Sequence, residues 1–379
     1  MAIFGPYVQI MLRNKGYSHA MVGVIIALGQ VATMVVPLGV SALDDRTRRT
    51  RSIAVVMSLV GVGLFVPAAL VGSMWVTVVC FFGAMGCYMA LNPLFDGYQN
   101  RVLEGDARRY GMARAAGTLG YVIALSLSVV VGFPVETDNW SICQALLMGG
   151  VMLVVAILLA PRDVERGDVV ESEVCVERGV PVKSGARAKV RAGVFSERFY
   201  LLMAVAALTR VAQAIPDKLL SSYMTEVLNL GGNFAGMTAL GAMSEFVMMI
   251  LCGRLLQRGK TTPYVLVLGS AVALAVRLLI YYFFPNVPGL VAGQLLHSMT
   301  FGAFHIGVTQ FVSREVSKEH YALAMSFYWA IATNLPQMIG SLLGGFVIDS
   351  LGYAKLFLYF TLFPVLAIVM ALVWRRKLK

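Results

Sequence analysis

Charge is what this chain has least of. Its 379 residues include 31 Lys and Arg and 20 Asp and Glu, 13% in all, about half the share that keeps a soluble globular surface in water. That excludes a water-soluble enzyme, and the apolar composition excludes a disordered or collagen-like chain. Cysteine is scarce as well. Cys80, Cys87, Cys143, Cys175 and Cys252 form no CxxC pair, and four of them fall in apolar runs, where a thiol packs as a small hydrophobe. Neither a disulfide framework nor a metal cage follows from them. The four histidines form no HExxH, and no loop carries the glycine-rich phosphate cradle of an ATPase. No cofactor, metal site or enzymatic activity is expected. Apolar residues are plentiful: 58% of the chain, with a mean hydropathy of +0.76, gathered in blocks of about twenty. As helix, each block crosses roughly 30 Å of hydrocarbon. The expected fold class is an all-α polytopic membrane protein, with the lipid bilayer as its first partner.

The apolar blocks and the polar breaks between them predict spans at 20–43, 52–72, 74–97, 112–133, 140–160, 199–223, 234–256, 262–284, 288–311, 322–347 and 355–374. Residues 1–12 are apolar but reach only about 18 Å as a helix. They read as the back half of a first helix whose front is short or truncated. If that segment leaves the cytoplasm and the spans alternate, 25 of the 31 Lys and Arg fall in cytoplasmic loops, against Arg13, Lys15 and Lys355 outside. Basic loops mark the cytoplasmic side, so the C-terminus is expected there, and the +11 net charge reports topology, with no nucleic-acid partner. The polar stretch 161–198 carries eight bases and seven acids and reads as a solvated cytoplasmic linker. It joins a six-helix bundle at 1–160 to a second at 199–379. Equal halves around a linker suggest a duplicated secondary transporter.

Two loops occupy matching places in the halves: Leu43-Asp44-Asp45-Arg46-Thr47-Arg48-Arg49, and Gly253-Arg254-Leu255-Leu256-Gln257-Arg258-Gly259-Lys260. Both resemble the signature loop of the major facilitator superfamily, which implies a conformational role for Asp45, Arg46 and Arg258; Ser41 and Gln257 depart from that pattern. A wider resemblance runs through Asn92-Pro93-Leu94-Phe95-Asp96, Tyr110 to Gly117, Ser244-Glu245-Phe246, Arg277 and Gln294 to His305. It is to the branch holding lactose permease, phenylpropionate permease and nucleoside–proton symporters. The resemblance implies the major facilitator fold, a bacterial cytoplasmic membrane, a monomer, and proton-coupled symport of a small polar solute. It also implies substrate contact at Asp96 and Arg114 and a coupling site at Glu245, Arg277 and His297. In lactose permease a second carboxylate follows the histidine by three residues; here that place is Thr300.

The same residues carry chemistry without the resemblance. Glu245 and Arg277 are lone opposite charges in the middle of neighbouring spans, and a charge in hydrocarbon costs roughly 2.5–3.5 kcal/mol on insertion scales, so each needs a cavity and a partner. They are expected to pair. Gln294, His297, Phe301 and His305 share one helical stripe, forming a cavity wall in which one or both histidines titrate near neutrality. Glu245 is expected to be the main proton carrier, tuned by His297. Pro216 interrupts the span holding Arg210, Asp217 and Lys218, and Pro336 interrupts the one holding Asn334 and Gln337; a proline frees a carbonyl and often marks a cavity. Lys218 and Asn334 are therefore candidates for substrate contact. Gly340 and Gly344 suit close helix packing. Asp96 with Arg114 favours a hydroxyl-bearing sugar- or nucleoside-like solute, whereas any of Arg210, Lys218 and Arg277 left unpaired would suit an organic acid. An exporter of the same fold, and a non-transporting sensor or degenerate paralogue, are the competing readings.

Overall fold

In the computed structural model the described residues are 4–47, 49–102, 119–120, 123, 138–159, 195–231, 234–316 and 320–378, and among them no strand occurs. The helices are α1 (Phe4–Asn14), α2 (His19–Thr47), α3 (Thr50–Leu70), α4 (Met74–Val102), α5 (Asn139–Leu159), α6 (Glu197–Val227), α7 (Phe234–Gln257) and α8 (Pro263–Phe283). Then come α9 (287–315), α10 (321–351) and α11 (353–373). Eight stretches among the described residues are long and apolar enough to cross a membrane. Apolar side chains such as Leu38, Trp75, Val247 and Phe283 face outward from the bundle, as a lipid-facing surface requires. The expected span 112–133 and the linker 161–198 lie almost wholly outside the described residues.

Local chemistry sets the helix boundaries. Ser196, Thr262 and Asn286 each turn a side-chain oxygen back to an amide three residues on, Phe199, Val265 and Gly289 respectively, satisfying donors that a helix start leaves open. Pro263 and Pro288 follow two of these caps at positions where no amide is needed. Gly352, at φ 77°, separates α10 from α11, a conformation that an L side chain adopts only with strain. Four wide π-type turns, Ile215–Leu219, Tyr223–Val227, Ser298–Ala303 and Ala330–Asn334, interrupt α6, α9 and α10. Two of them fall on or beside the Pro216 and Pro336 breaks read from sequence, and such turns recur at functional sites.

In the first half α3 packs on α4 and α5, and α2 on α4; in the second, α8 packs on α9, α10 and α11, and α6 on α10 and α11. The halves meet through α2 on α10 and α1 on α6. At the end away from the basic loops, one apolar core runs through both halves, including Met11, Ile25, Phe81, Ile142, Ile215, Tyr223, Leu278 and Phe357. Toward the basic loops the cores are separate among the described residues: Val40, Ile53, Leu91 and Ile157 in one half, and Phe199, Leu202, Phe304 and Tyr328 in the other. Small residues permit the closest approaches. A Cβ on Gly345 would stand 2.2 Å from the His19 carbonyl oxygen, and one on Gly340 would stand 2.1 Å from that of Val211.

Polar bonds reinforce the shared end. Asp349 accepts from the amides of His19 (2.8 Å) and Ala20 (2.7 Å), so a carboxylate of the second half caps the N-terminus of α2 in the first. Glu226 accepts from Arg13 Nε (2.8 Å) and the Tyr353 hydroxyl (3.3 Å), and lies 3.1 Å from His19 Nε2. Gln9 Oε1 accepts from the buried Ser222 amide at 3.0 Å. Beside them, Lys15 Nζ donates to the Ala68 and Val71 carbonyls and to Thr77 at 2.5–2.7 Å, tying the α1–α2 turn to the C-terminus of α3. Partial burial of that ammonium holds its pKa below the ordinary lysine range.

Candidate functional site

Glu245 on α7, Arg277 on α8 and His297 on α9 come together, in a different order from the expected one. Arg277, 1% exposed, donates to four groups that are not carboxylates: the Tyr281 hydroxyl (3.0 Å), Gln294 Oε1 (3.1 Å), Thr300 Oγ1 (3.3 Å) and His297 Nδ1 (3.1 Å). Glu245 meets the other ring nitrogen, His297 Nε2, at 3.5 Å. The expected direct Arg277–Glu245 pair is thus replaced by a relay with His297 in the middle. The reason is packing: α9 lies against both α7 and α8, so its side chains are interposed. Gly302 lets the helices close, since a Cβ there would already be 3.2 Å from the Glu245 carbonyl oxygen.

The relay fixes a tautomer. A guanidinium only donates, so Nδ1 of His297 must offer its lone pair to Arg277, and the ring proton sits on Nε2, facing Glu245. A second proton on His297 would break the Arg277 bond. His297 then turns its Nε2–H toward Glu245 and holds the carboxylate in register. Where lactose permease has its second carboxylate, Thr300 serves as an acceptor for Arg277.

From His297 an aromatic stack continues along α9. Phe301 stacks on His297 (5.8 Å between centroids) and on His305 (6.3 Å), and His305 packs against Trp329 of α10 at 5.8 Å. His305 therefore continues the row of stacked rings that begins at His297. On α6, Asp217 accepts from Gln213 Nε2 (2.8 Å) and from Gln337 Nε2 of α10 (2.9 Å). Lys218 is half-buried beside it, and Asn334 is half-buried at the end of the α10 wide turn. Arg210, one turn before Gln213, lies with its guanidinium 5.0 Å from the ring centre of Phe301 and 4.3 Å from that of Phe304.

Other expected positions fare differently. Asp96 lies in α4, but its side chain, that of Asp45 and all of Arg114 lie outside the described residues. Arg46 and Arg258 are exposed at the loop ends. The buried acid of the first loop is Asp44, which accepts from Thr50 Oγ1 at 2.6 Å and so joins the end of α2 to the start of α3. The bonds of Arg13, His19, Glu226 and Asp349 between the halves were not singled out from sequence. Their signal was the scarcity of charge on that side, where each ionisable group is conspicuous.

Fold and site together define a helical membrane protein with two halves and buried charges between its helices. The chain belongs to the MFS_1 like family, which matches residues 1–359, and it is an integral membrane protein of the major facilitator fold. It is 24% identical over 354 residues to the probable 3-phenylpropionic acid transporter of Escherichia coli (strain K12), covering 93% of this chain and 88% of that one. It is 22% identical over 366 residues to the uncharacterized transporter YwbF of Bacillus subtilis (strain 168), covering 94% and 84%. Among solved structures, a point mutant of nucleoside transporter NupG superposes with a TM-score of 0.78 at 16% identity, covering 100% of this chain and 96% of that one. A POT family transporter in complex with a thioalcohol-conjugated peptide gives 0.73 at 12% identity, covering 100% and 94%. These likenesses make the chain a transporter of the major facilitator type.

Proposed function

We propose that this transporter moves a small polar organic solute by proton-coupled symport across a bacterial cytoplasmic membrane, through alternating access of two six-helix bundles at 1–160 and 199–379 joined by a cytoplasmic linker at 161–198. The Glu245–His297–Arg277 relay carries the reading. It presents one carboxylate able to load a proton, held by a histidine whose other nitrogen is committed to a permanent cation. Protonation of Glu245 removes its charge from the α7–α9 contact and so changes helix packing with proton occupancy, which is what coupling requires. Buried ionisable groups at membrane depth most often mark such pathways.

The distribution of the core supports alternating access. One shared core and the Asp349 and Glu226 bonds hold the halves together on the side opposite the basic loops. With those loops and the C-terminus in the cytoplasm, this is a state closed to the outside. Asp96, Arg114, Lys218 and Asn334 line the solute path in this reading, and the protein works as a monomer. The relatives named for 3-phenylpropionic acid and for nucleosides bracket the solute as small and organic. Reconstitution into liposomes with an imposed inside-alkaline gradient tests it, using radiolabelled 3-phenylpropionate, uridine and a galactoside. At least one solute should accumulate, and a protonophore should abolish the accumulation. Uptake indifferent to the gradient would refute proton coupling.

A further inference from the structure

Two arginines are fully buried in the second half, each 1% exposed, and their surroundings differ completely. Arg277 has four hydrogen-bond acceptors. Arg210 has none among the described residues: Nε, Nη1 and Nη2 all lack a partner. What it touches are the rings of Phe301 and Phe304, and attraction to a ring face is weak beside the penalty of burying an unpaired charge. Asp217, the nearest acid along α6, has its two oxygens engaged by the Gln213 and Gln337 amides. Lys218 follows Asp217 in the chain and is half-buried. Asp217 is thus already engaged and leaves Arg210 without a counter-charge among the described residues. Gln213 Oε1 and Thr333 Oγ1, buried on the neighbouring α6 and α10 segments, also lack partners among the described residues.

A buried guanidinium lacking its anion, flanked by aromatic rings, is the lining of a site for a planar carboxylate with an apolar body, because the guanidinium fork matches a carboxylate edge. We propose that Arg210 anchors the carboxylate of the transported solute, making the substrate a small organic monoanion whose apolar part lies along Phe301 and Phe304. This rests on the transport reading above and turns the choice of solute from the neutral sugar or nucleoside to the acid. It also gives solute and proton a common neighbour, since Phe301 lies between Arg210 and His297.

Binding to the purified protein, read by thermal shift and by equilibrium titration, tests the assignment with 3-phenylpropionate, benzoate and hexanoate as acids and 3-phenylpropanamide as the uncharged match. Wild-type protein should bind at least one of the acids, and should bind 3-phenylpropionate at least tenfold more tightly than its amide. Arg210→Gln should lose that preference, and Arg210→Lys should keep part of it. Unliganded Arg210→Gln should melt no lower than wild type, because it removes a charge that has no partner; an arginine serving only to hold helices together would lower the melting temperature. An Arg210→Gln protein that still prefers the acid, or a wild type that binds none of the three acids, overturns the assignment. Proton-dependent accumulation of uridine without acid binding would leave the transport reading intact and remove this one. Arg210-dependent acid binding with gradient-independent uptake would do the reverse.

Discussion

Replacing Asp349 with asparagine should ease the two halves apart at the end remote from the basic loops. Asp349 closes two amides at the start of α2, at 2.7 and 2.8 Å, from across the interface. The asparagine retains one acceptor oxygen and loses the charge that faces the positive end of the helix. A cap of this kind is worth about 1 kcal/mol and the charge about 0.3–1 kcal/mol more. Because Asp349 is exposed, a net loss near 1 kcal/mol is expected, roughly a fivefold shift toward the form open at this end. Ser222 is 1% exposed, with its amide held by Gln9, so a cysteine there reports opening. With the native cysteines replaced, labelling of Ser222→Cys by a membrane-impermeant maleimide added outside should run about fivefold faster in the Asp349→Asn background. Unchanged or slower labelling would mean that the cap does not hold the closed state.

Three further outcomes follow from particular contacts. His297→Phe keeps the stack on Phe301 but leaves Arg277 and Glu245 without their bridge, so solute accumulation should fall by at least tenfold while exchange of solute persists; undiminished accumulation would refute the relay. Asp138 accepts from the Trp140 and Ser141 amides at the start of α5, and its hydrogen bonding with Ser141 holds its pKa below the ordinary 3.8. Its contribution to the helix start is therefore complete above the ordinary value and lost only as pH falls through the lower one, so hydrogen exchange should show the Ser141 amide protected from neutrality down to the ordinary aspartate range. Exchanging 161–198 for a polar linker of equal length should leave transport intact, as uptake in a well-inserted variant will show.

Much of the fold was legible because bilayer thickness imposes a simple rule on sequence: apolar blocks of fixed length, separated by charged turns. The spans expected at 234–256 and 262–284 differ from α7 and α8 by a residue or so at each end. The stacked stripe of α9 was legible for a similar reason, since helical periodicity alone places Gln294, His297, Phe301 and His305 on one face. Pairing across helices was harder. Glu245 and Arg277 are charges on consecutive spans, but consecutive spans need not be neighbours, and α9 packs between α7 and α8. Arg210 shows the same limit from the other side: sequence marks a buried cation, and only packing reveals that Asp217 is engaged by Gln213 and Gln337. At the junction of His19 and Asp349 the sequence shows a conspicuous acid, but its partners are backbone amides, which no side-chain pattern reveals.

In the proposed mechanism proton loading at Glu245 drives uphill transport, and Glu245→Gln isolates that step. The amide preserves shape and a contact with His297 Nε2, yet it cannot ionise. In liposomes holding equal amounts of well-inserted protein, two rates need comparison: counterflow of labelled solute without a gradient, and accumulation under an imposed pH gradient. Glu245→Gln should retain counterflow and accumulate nothing above equilibrium. Accumulation by this variant that still follows the proton gradient would rule out Glu245 as the proton carrier and move the coupling site to the first half, with Asp96 as the next carboxylate to test.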